Sequence, residues 1–115
     1  MKRDTIKNHN DFAVGTDDPV AKSAYFLVRA KRAKIPDEPR YGIIVTKKSF
    51  KRAVDRNRAK RMLRDWIAFC EHMMRPEWDY IFVIRRAVFE ADRTTGRTAM
   101  KKALHYLRKQ EINAE

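Results

Sequence analysis

The sequence holds little of what most catalytic sites are built from. One cysteine, Cys70, stands in 115 residues. It excludes an internal disulfide and fits a reducing compartment, so a cytoplasmic location is expected. The three glycines, Gly15, Gly42 and Gly96, are scattered, so no glycine-rich loop is present to cradle a phosphate. His9, His72 and His105 lie far apart, and Cys70-Glu71-His72 is too short and isolated for a zinc site, which usually takes four ligands. No close pair of carboxylates stands in an apolar setting, which argues against acid–base chemistry of the glycosidase or aspartic-protease kind. No run approaches the roughly 20 apolar residues of a spanning helix. The opening Met1-Lys2-Arg3-Asp4-Thr5 lacks the apolar core of a secretory signal. The chain is expected to have no catalytic residues of its own, to bind no metal or cofactor itself, and to have no membrane partner.

Positive charge is abundant. Lys and Arg number 27 against 15 Asp and Glu, a net charge of +12. Such an excess strains a small domain by self-repulsion, and a polyanionic partner relieves it. Apolar residues at 43% suffice for a core, and the length fits a single domain over residues 1–115.

The apolar pattern gives the order helix, strand, strand, long helix, strand, helix. Asn8 or Asn10 can cap a short helix over about 8–14 that carries Phe12. Tyr25–Ala30 and Tyr41–Thr46 are β-rich and are expected to pair as an antiparallel hairpin around an exposed, proline-containing connection. A long helix is expected over about 52–74, with Ser49 as a plausible cap and Pro76 ending it. Leu63, Trp66, Ile67, Cys70 and Met74 form its buried stripe, extended by Ala59 and Met73. Tyr80–Ile84 is apolar throughout and reads as a central strand. Thr94 or Thr95 can cap a last helix over about 94–109, whose stripe is Met100, Ala103, Leu104 and Leu107. Two strands separated by a helix suggest a parallel pair with a crossover. The class is α+β: helices packed on a small mixed sheet.

Residues 51–64 hold seven Lys or Arg in fourteen positions. At about 100° per residue, Asn57, Arg61 and Arg64 share a face opposite the Leu63–Trp66 stripe, flanked by Arg58 and Lys60. A guanidinium offers a planar fork of donors matched to phosphate oxygens and keeps its charge. Asn57 adds a donor and an acceptor for a base edge or a sugar hydroxyl. A merely solvated face would need balancing acids, and only Asp55 and Asp65 occur between 51 and 65. A calmodulin-target or membrane-surface helix would be an accessible segment, whereas this one lies between strands and needs its apolar side for the core.

Three stretches carry a resemblance. Arg40-Tyr41-Gly42-Ile43-Ile44-Val45-Thr46-Lys47-Lys48 is similar to the strand ending in paired lysines of bacterial ribonuclease P proteins. Ala53–Arg64 resembles that family's signature: Arg56-Asn57-Arg58, then Lys60-Arg61, then Arg64. Asp79–Arg86 resembles the next strand, with its two closing basic residues. The resemblance implies a small mixed sheet of three to four strands, with the long basic helix in a left-handed βαβ crossover and helices at both ends of the chain. It implies a protein that assists a catalytic RNA, which with bound Mg²⁺ removes the 5′ leader from precursor tRNA. One protein per ribonuclease P RNA is expected.

Carried over by position, Arg52, Arg56, Asn57, Arg58, Lys60, Arg61 and Arg64 would face the RNA subunit. Lys47, Lys48, Lys51, Arg85 and Arg86 would line the leader path, and Phe12 would stack a leader base. The N-terminal third departs from the family pattern: Thr16 stands where a second aromatic is common, and Asp17 and Asp18 follow. Phe12 reads equally as a core anchor. The alternative function is a structural RNA binder of ribosomal type. A helix-turn-helix DNA binder fits poorly, because strands flank the basic helix on both sides.

Overall fold

A computed structural model describes residues 4–6, 18–35 and 39–110. The helix expected over 8–14, with Phe12, lies outside the described residues. The elements are β1 (Asp4–Thr5), β2 (Val20–Lys22), β3 (Phe26–Arg32), β4 (Arg40–Ile44), α1 (Ala53–Cys70), β5 (Trp78–Ile84) and α2 (Arg93–Arg108). Short 3₁₀ turns, Glu71–Met73 and Arg86–Glu90, flank β5. The strands form one mixed sheet in the order β1-β4-β5-β3-β2.

The strand β5 takes the centre because every one of its residues except half-buried Val83 is buried. A strand apolar on both faces is most stable where both faces are covered. It pairs antiparallel with β3, from Phe26↔Ile84 to Arg32↔Trp78, and parallel with β4, from Tyr41↔Tyr80 to Ile44↔Val83. The parallel pair joined by a helix is therefore present. The expected β3–β4 hairpin is not, because β5 inserts between its two strands. Adjacency in sequence favours a hairpin, but burial of β5 outweighs it. The two short edge strands, β1 and β2, have too few residues to show an alternating pattern.

This register sorts side chains by face. Phe26, Val28, Ala30, Tyr41, Trp78, Tyr80, Phe82 and Ile84 point to the helix side and are buried. Against them α1 packs Ala59, Leu63, Trp66, Ile67 and Cys70, as its spacing requires. Trp66 lies at ring-centroid distances of 6.2 Å from Tyr25 and 6.3 Å from Phe26. On its other side is α2, which buries Gly96, Met100, Ala103, Leu104 and Leu107. A Cβ on Gly96 would overlap the Trp66 ring, so glycine sets how closely the two helices approach.

The helix boundaries differ from the periodic reading. Helix α1 ends at Cys70 (φ −106°, ψ 9°) and the chain tightens into a 3₁₀ turn. Met74 is buried as expected, but from an extended backbone. The tightening lets the Arg75 amide donate to the Tyr80 hydroxyl at 2.9 Å, which turns the chain back toward β5. Ser49 does not cap α1. The N-cap is Arg52, without a side-chain bond, and the Ser49 amide instead donates to Thr46 Oγ1 at 3.2 Å. Helix α2 is capped by Asp92, whose Oδ1 accepts from the Thr95 amide at 2.7 Å. That bond holds the Asp92 carboxyl below the usual range. Asp92 rather than Thr94 or Thr95 takes the position because α2 starts one residue before the expected 94, at Arg93.

Asp79 is fully buried at the start of β5. It accepts from the amides of Arg40 (2.8 Å) and Lys34 (3.3 Å) and from the Arg40 guanidinium (3.4 Å). One carboxylate thus fastens both ends of the β3–β4 connection across the central strand.

Two stability measurements follow. Gly96→Ala gains helix propensity of about 1 kcal/mol, but overpacking against a buried ring costs more. The net expectation is a loss of about 2 kcal/mol in urea unfolding; an unchanged midpoint would refute the tight contact. Asp79→Ala removes a charged acceptor from two backbone amides and should cost on the order of 3 kcal/mol. Hydrogen exchange should accelerate first at the Lys34 and Arg40 amides.

Candidate nucleic-acid interface

Parallel pairing of β4 and β5 places their C-terminal ends together. Lys47 and Lys48 follow β4, and Arg85 and Arg86 follow β5, so both pairs stand at one end of the sheet, all four exposed. The chain passes through exposed Lys51 into α1, whose first turn starts at the same end. Residues read as three separate sequence groups therefore meet in one region.

Within α1, Asn57, Arg58, Arg61 and Arg64 are exposed and Lys60 is half-buried. The acids that could neutralise them are engaged elsewhere. Asp65 binds Arg97 of α2 at 3.0 and 3.2 Å, with Arg93 at 3.8 Å. Asp55 pairs with Arg52 at 3.5 Å. Arg58, Lys60, Arg61 and Arg64 have no acidic partner among the described residues. The result is a basic ridge anchored to the core by the opposite side of its own helix.

One signature residue serves the fold directly. The Arg56 guanidinium donates to the Phe50 carbonyl at 2.9 Å and the Lys51 carbonyl at 3.1 Å, tying the turn before α1 to the helix. Arg52 is the partner of Asp55. Arg58 lies over the Phe89 ring, 4.6 Å from its centroid. Arg86 lies 5.5 Å from the same ring and 5.6 Å from Phe50. Neither aromatic was singled out by the sequence reading, because both precede or follow an element rather than sit in a periodic stripe.

The sheet face away from the helices carries a second group that sequence reasoning did not single out. The register sets Leu27, Val83 and Ile44 in a row across β3, β5 and β4, all half-buried, with Lys22 beside Leu27. Arg29 and Lys31 lie on the same face of β3. The alternation of β3 could have shown this row had its basic positions been counted as a face.

A cavity of about 820 Å³ opens between β2 and α2, with Lys22, Tyr25, Lys102 and Tyr106 in its lining. No basic residue of α1 borders it.

His72 and His105 are exposed on separate elements. Burial pushes the Cys70 thiol above its ordinary pKa, against the smaller opposing pull of Lys101 and Arg97, and its Sγ faces the Arg97 carbonyl at 3.7 Å. A protonated, buried thiol is a poor nucleophile. Among the described residues no group of three or more His, Cys, Asp or Glu could hold a metal ion. Nor is any helix among them long and apolar enough to cross a membrane.

The comparisons agree with the signature. The family model described as Ribonuclease P matches residues 1–108. The ribonuclease P protein component of Marinomonas sp. is 34% identical over 110 residues, covering 93% of this chain and 81% of that protein. That of Idiomarina loihiensis is 38% identical over 69 residues, covering 60% and 51%. The matched stretch spans about half the length of most such relatives. The RNase P protein of Staphylococcus aureus superposes with a TM-score of 0.74 at 24% identity, covering 91% of this chain and 95% of that one, a likeness of fold. With the fold, the signature helix and the family match in agreement, this chain belongs to the ribonuclease P protein family.

Proposed function

We propose that this chain is the RNA-binding protein subunit of ribonuclease P, part of an endoribonuclease holoenzyme that matures the 5′ end of tRNA. The observation that carries this reading is the convergence of the α1 ridge with Lys47, Lys48, Arg85 and Arg86 at one end of the sheet. The acids of α1 are meanwhile held in pairs with Arg52, Arg93 and Arg97. In this reading one protein joins one RNA, the RNA carries the chemistry, and the Mg²⁺ belongs to the RNA.

The chain's own work is electrostatic. Arg58, Arg61 and Arg64 offer forked donors to the phosphates of the RNA subunit, and Lys60 adds a point charge. Each phosphate contacted releases condensed counterions, which makes the affinity fall steeply with salt. Neutralising the crowded phosphates where leader and RNA subunit meet lowers the need for other cations, Mg²⁺ included.

The 5′ leader is assigned to the sheet face away from the helices. Leu27, Val83 and Ile44 supply an apolar floor for unstacked bases, and Lys22, Arg29 and Lys31 supply flanking charge. Lys47, Lys48, Lys51, Arg85 and Arg86 lie at the end of that path. The row is aliphatic, so it offers apolar contact, and the basic border follows the backbone of a single strand without strong sequence preference.

Reconstitution tests the reading. The protein added to a ribonuclease P RNA and precursor tRNA should restore 5′ cleavage at low Mg²⁺ and near-physiological ionic strength. No restoration would overturn it. Co-sedimentation with ribosomal subunits in place of that RNA would favour the structural RNA binder.

The ridge is tested separately. Arg61→Ala and Arg64→Ala should each weaken RNA binding and reduce the slope of log affinity against log salt by roughly one unit. An unchanged slope would mean that this face does not meet phosphate.

A further inference from the structure

The aromatic pair Phe50 and Phe89 has no part in the periodic stripes of α1 or α2, yet it sits where the basic groups converge. Phe50 is fully buried and Phe89 half-buried. Their rings meet edge to face at 5.6 Å with an interplanar angle of 85°. Phe50 is therefore a fixed brace, and the orientation of the Phe89 ring is set by it. Onto Phe89 come two guanidiniums: Arg58 from α1 at 4.6 Å, and Arg86, which starts the 3₁₀ turn that also carries Phe89, at 5.5 Å.

Two features make this more than surface packing. Neither guanidinium has an ion pair with a carboxylate among the described residues. And the two like charges share one ring, so their separation cannot exceed the sum of those distances. At that bound, beyond the Debye length of about 8 Å at physiological salt, repulsion between the two exposed charges is largely screened, so one ring can hold both. An anion placed at both forks meets planar donors already oriented by stacking. An unstacked arginine would lose rotamer freedom on binding, whereas these two are ordered beforehand.

We infer that Phe89 is a positioning residue for RNA binding, its ring, braced by Phe50, holding Arg58 and Arg86 together as a preformed two-pronged clamp for RNA phosphate. This rests on the RNA-binding reading above and adds to it a residue with no charge and no hydrogen bond to offer. It also joins the helix ridge to the strand ends, so that the two act on the same stretch of backbone.

The full chain and a ribonuclease P RNA transcript are the materials for the test, with affinity measured over a range of salt and thermal melts run beside it. Phe89→Leu should weaken binding on the order of tenfold, the ordering cost of two long side chains. Phe89→Tyr, which keeps the ring, should bind like the unaltered protein. In a chain already carrying Arg58→Ala and Arg86→Ala, Phe89→Leu should change nothing further, which separates positioning from a general loss of structure. A charge-conserving pair gives the same information without touching the aromatic site. Arg58→Lys should lose more affinity than Arg61→Lys, since Arg61 stacks on no ring among the described residues.

The inference is overturned if Phe89→Leu folds and binds normally, or if its effect persists undiminished once both arginines are gone. It is also overturned, with the RNA-binding reading intact, if Arg58→Ala and Arg86→Ala leave affinity unchanged while Arg61→Ala lowers it. An unaltered chain that fails to bind the RNA would overturn that reading and the clamp with it.

Discussion

The double-sided burial of β5 governs the rest of the molecule. Six of its seven residues are buried, so it occupies the middle of the sheet with β3 on one side and β4 on the other. The chain reaches β5 from β4 through α1, and the two strands run parallel. Parallel strands end on the same side. The basic pairs that follow each strand are thereby brought together, 37 residues apart in the case of Lys48 and Arg85. An antiparallel β4–β5 pair would have sent them to opposite ends of the sheet. The interface is in this sense a consequence of where the six apolar residues of β5 must go.

Acidic residues shape the interface by their engagement elsewhere. Asp79 fastens the β3–β4 connection, Asp65 ties α1 to α2 through Arg97, and Asp92 caps α2. Arg75 holds the Glu77 carboxyl below its usual range, chiefly by a hydrogen bond, while itself stacking on Trp78. Each of these acids answers a cation or an amide of the fold. The positive charge left on the outer side of α1 is then not an excess awaiting a surface partner within the protein. An external polyanion is the physical complement.

How much of this was legible in the sequence depended on range. Periodicity located α1, α2, β3, β4 and β5, because a helix stripe such as Leu63, Trp66, Ile67 and Cys70 is a local signal. It also showed which side of α1 faces outward. Strand pairing was not local: the β3–β4 hairpin was the economical reading of two adjacent strands, and only the tertiary preference of β5 excludes it. The same holds for single residues. The role of Gly96 depends on Trp66, thirty residues earlier in the chain, which lies against it only in the fold. The fastening role of Asp79 carries no local signal, because its partners Lys34 and Arg40 are far off in sequence. The candidate site was legible as a set of basic residues, but not as a convergent group, and the Phe89 shelf was not legible at all.

The signature Arg56-Asn57-Arg58 shows why a motif need not be a single contact surface. Three consecutive residues on a helix span about 200° and cannot share a face. Here the arc is divided. Arg56 turns inward to the carbonyls of Phe50 and Lys51, Asn57 points to solvent, and Arg58 turns to the Phe89 ring. The first of these fixes the turn that carries Lys51 and precedes the helix. The third fixes a guanidinium beside the end of β5. The residue between them is the one left free to meet a ligand group of its own. A helix built this way is held at both borders of its outward face before any RNA arrives. Binding then has less side-chain order to impose, and the spacing of the motif follows from that division of the helix surface rather than from charge alone.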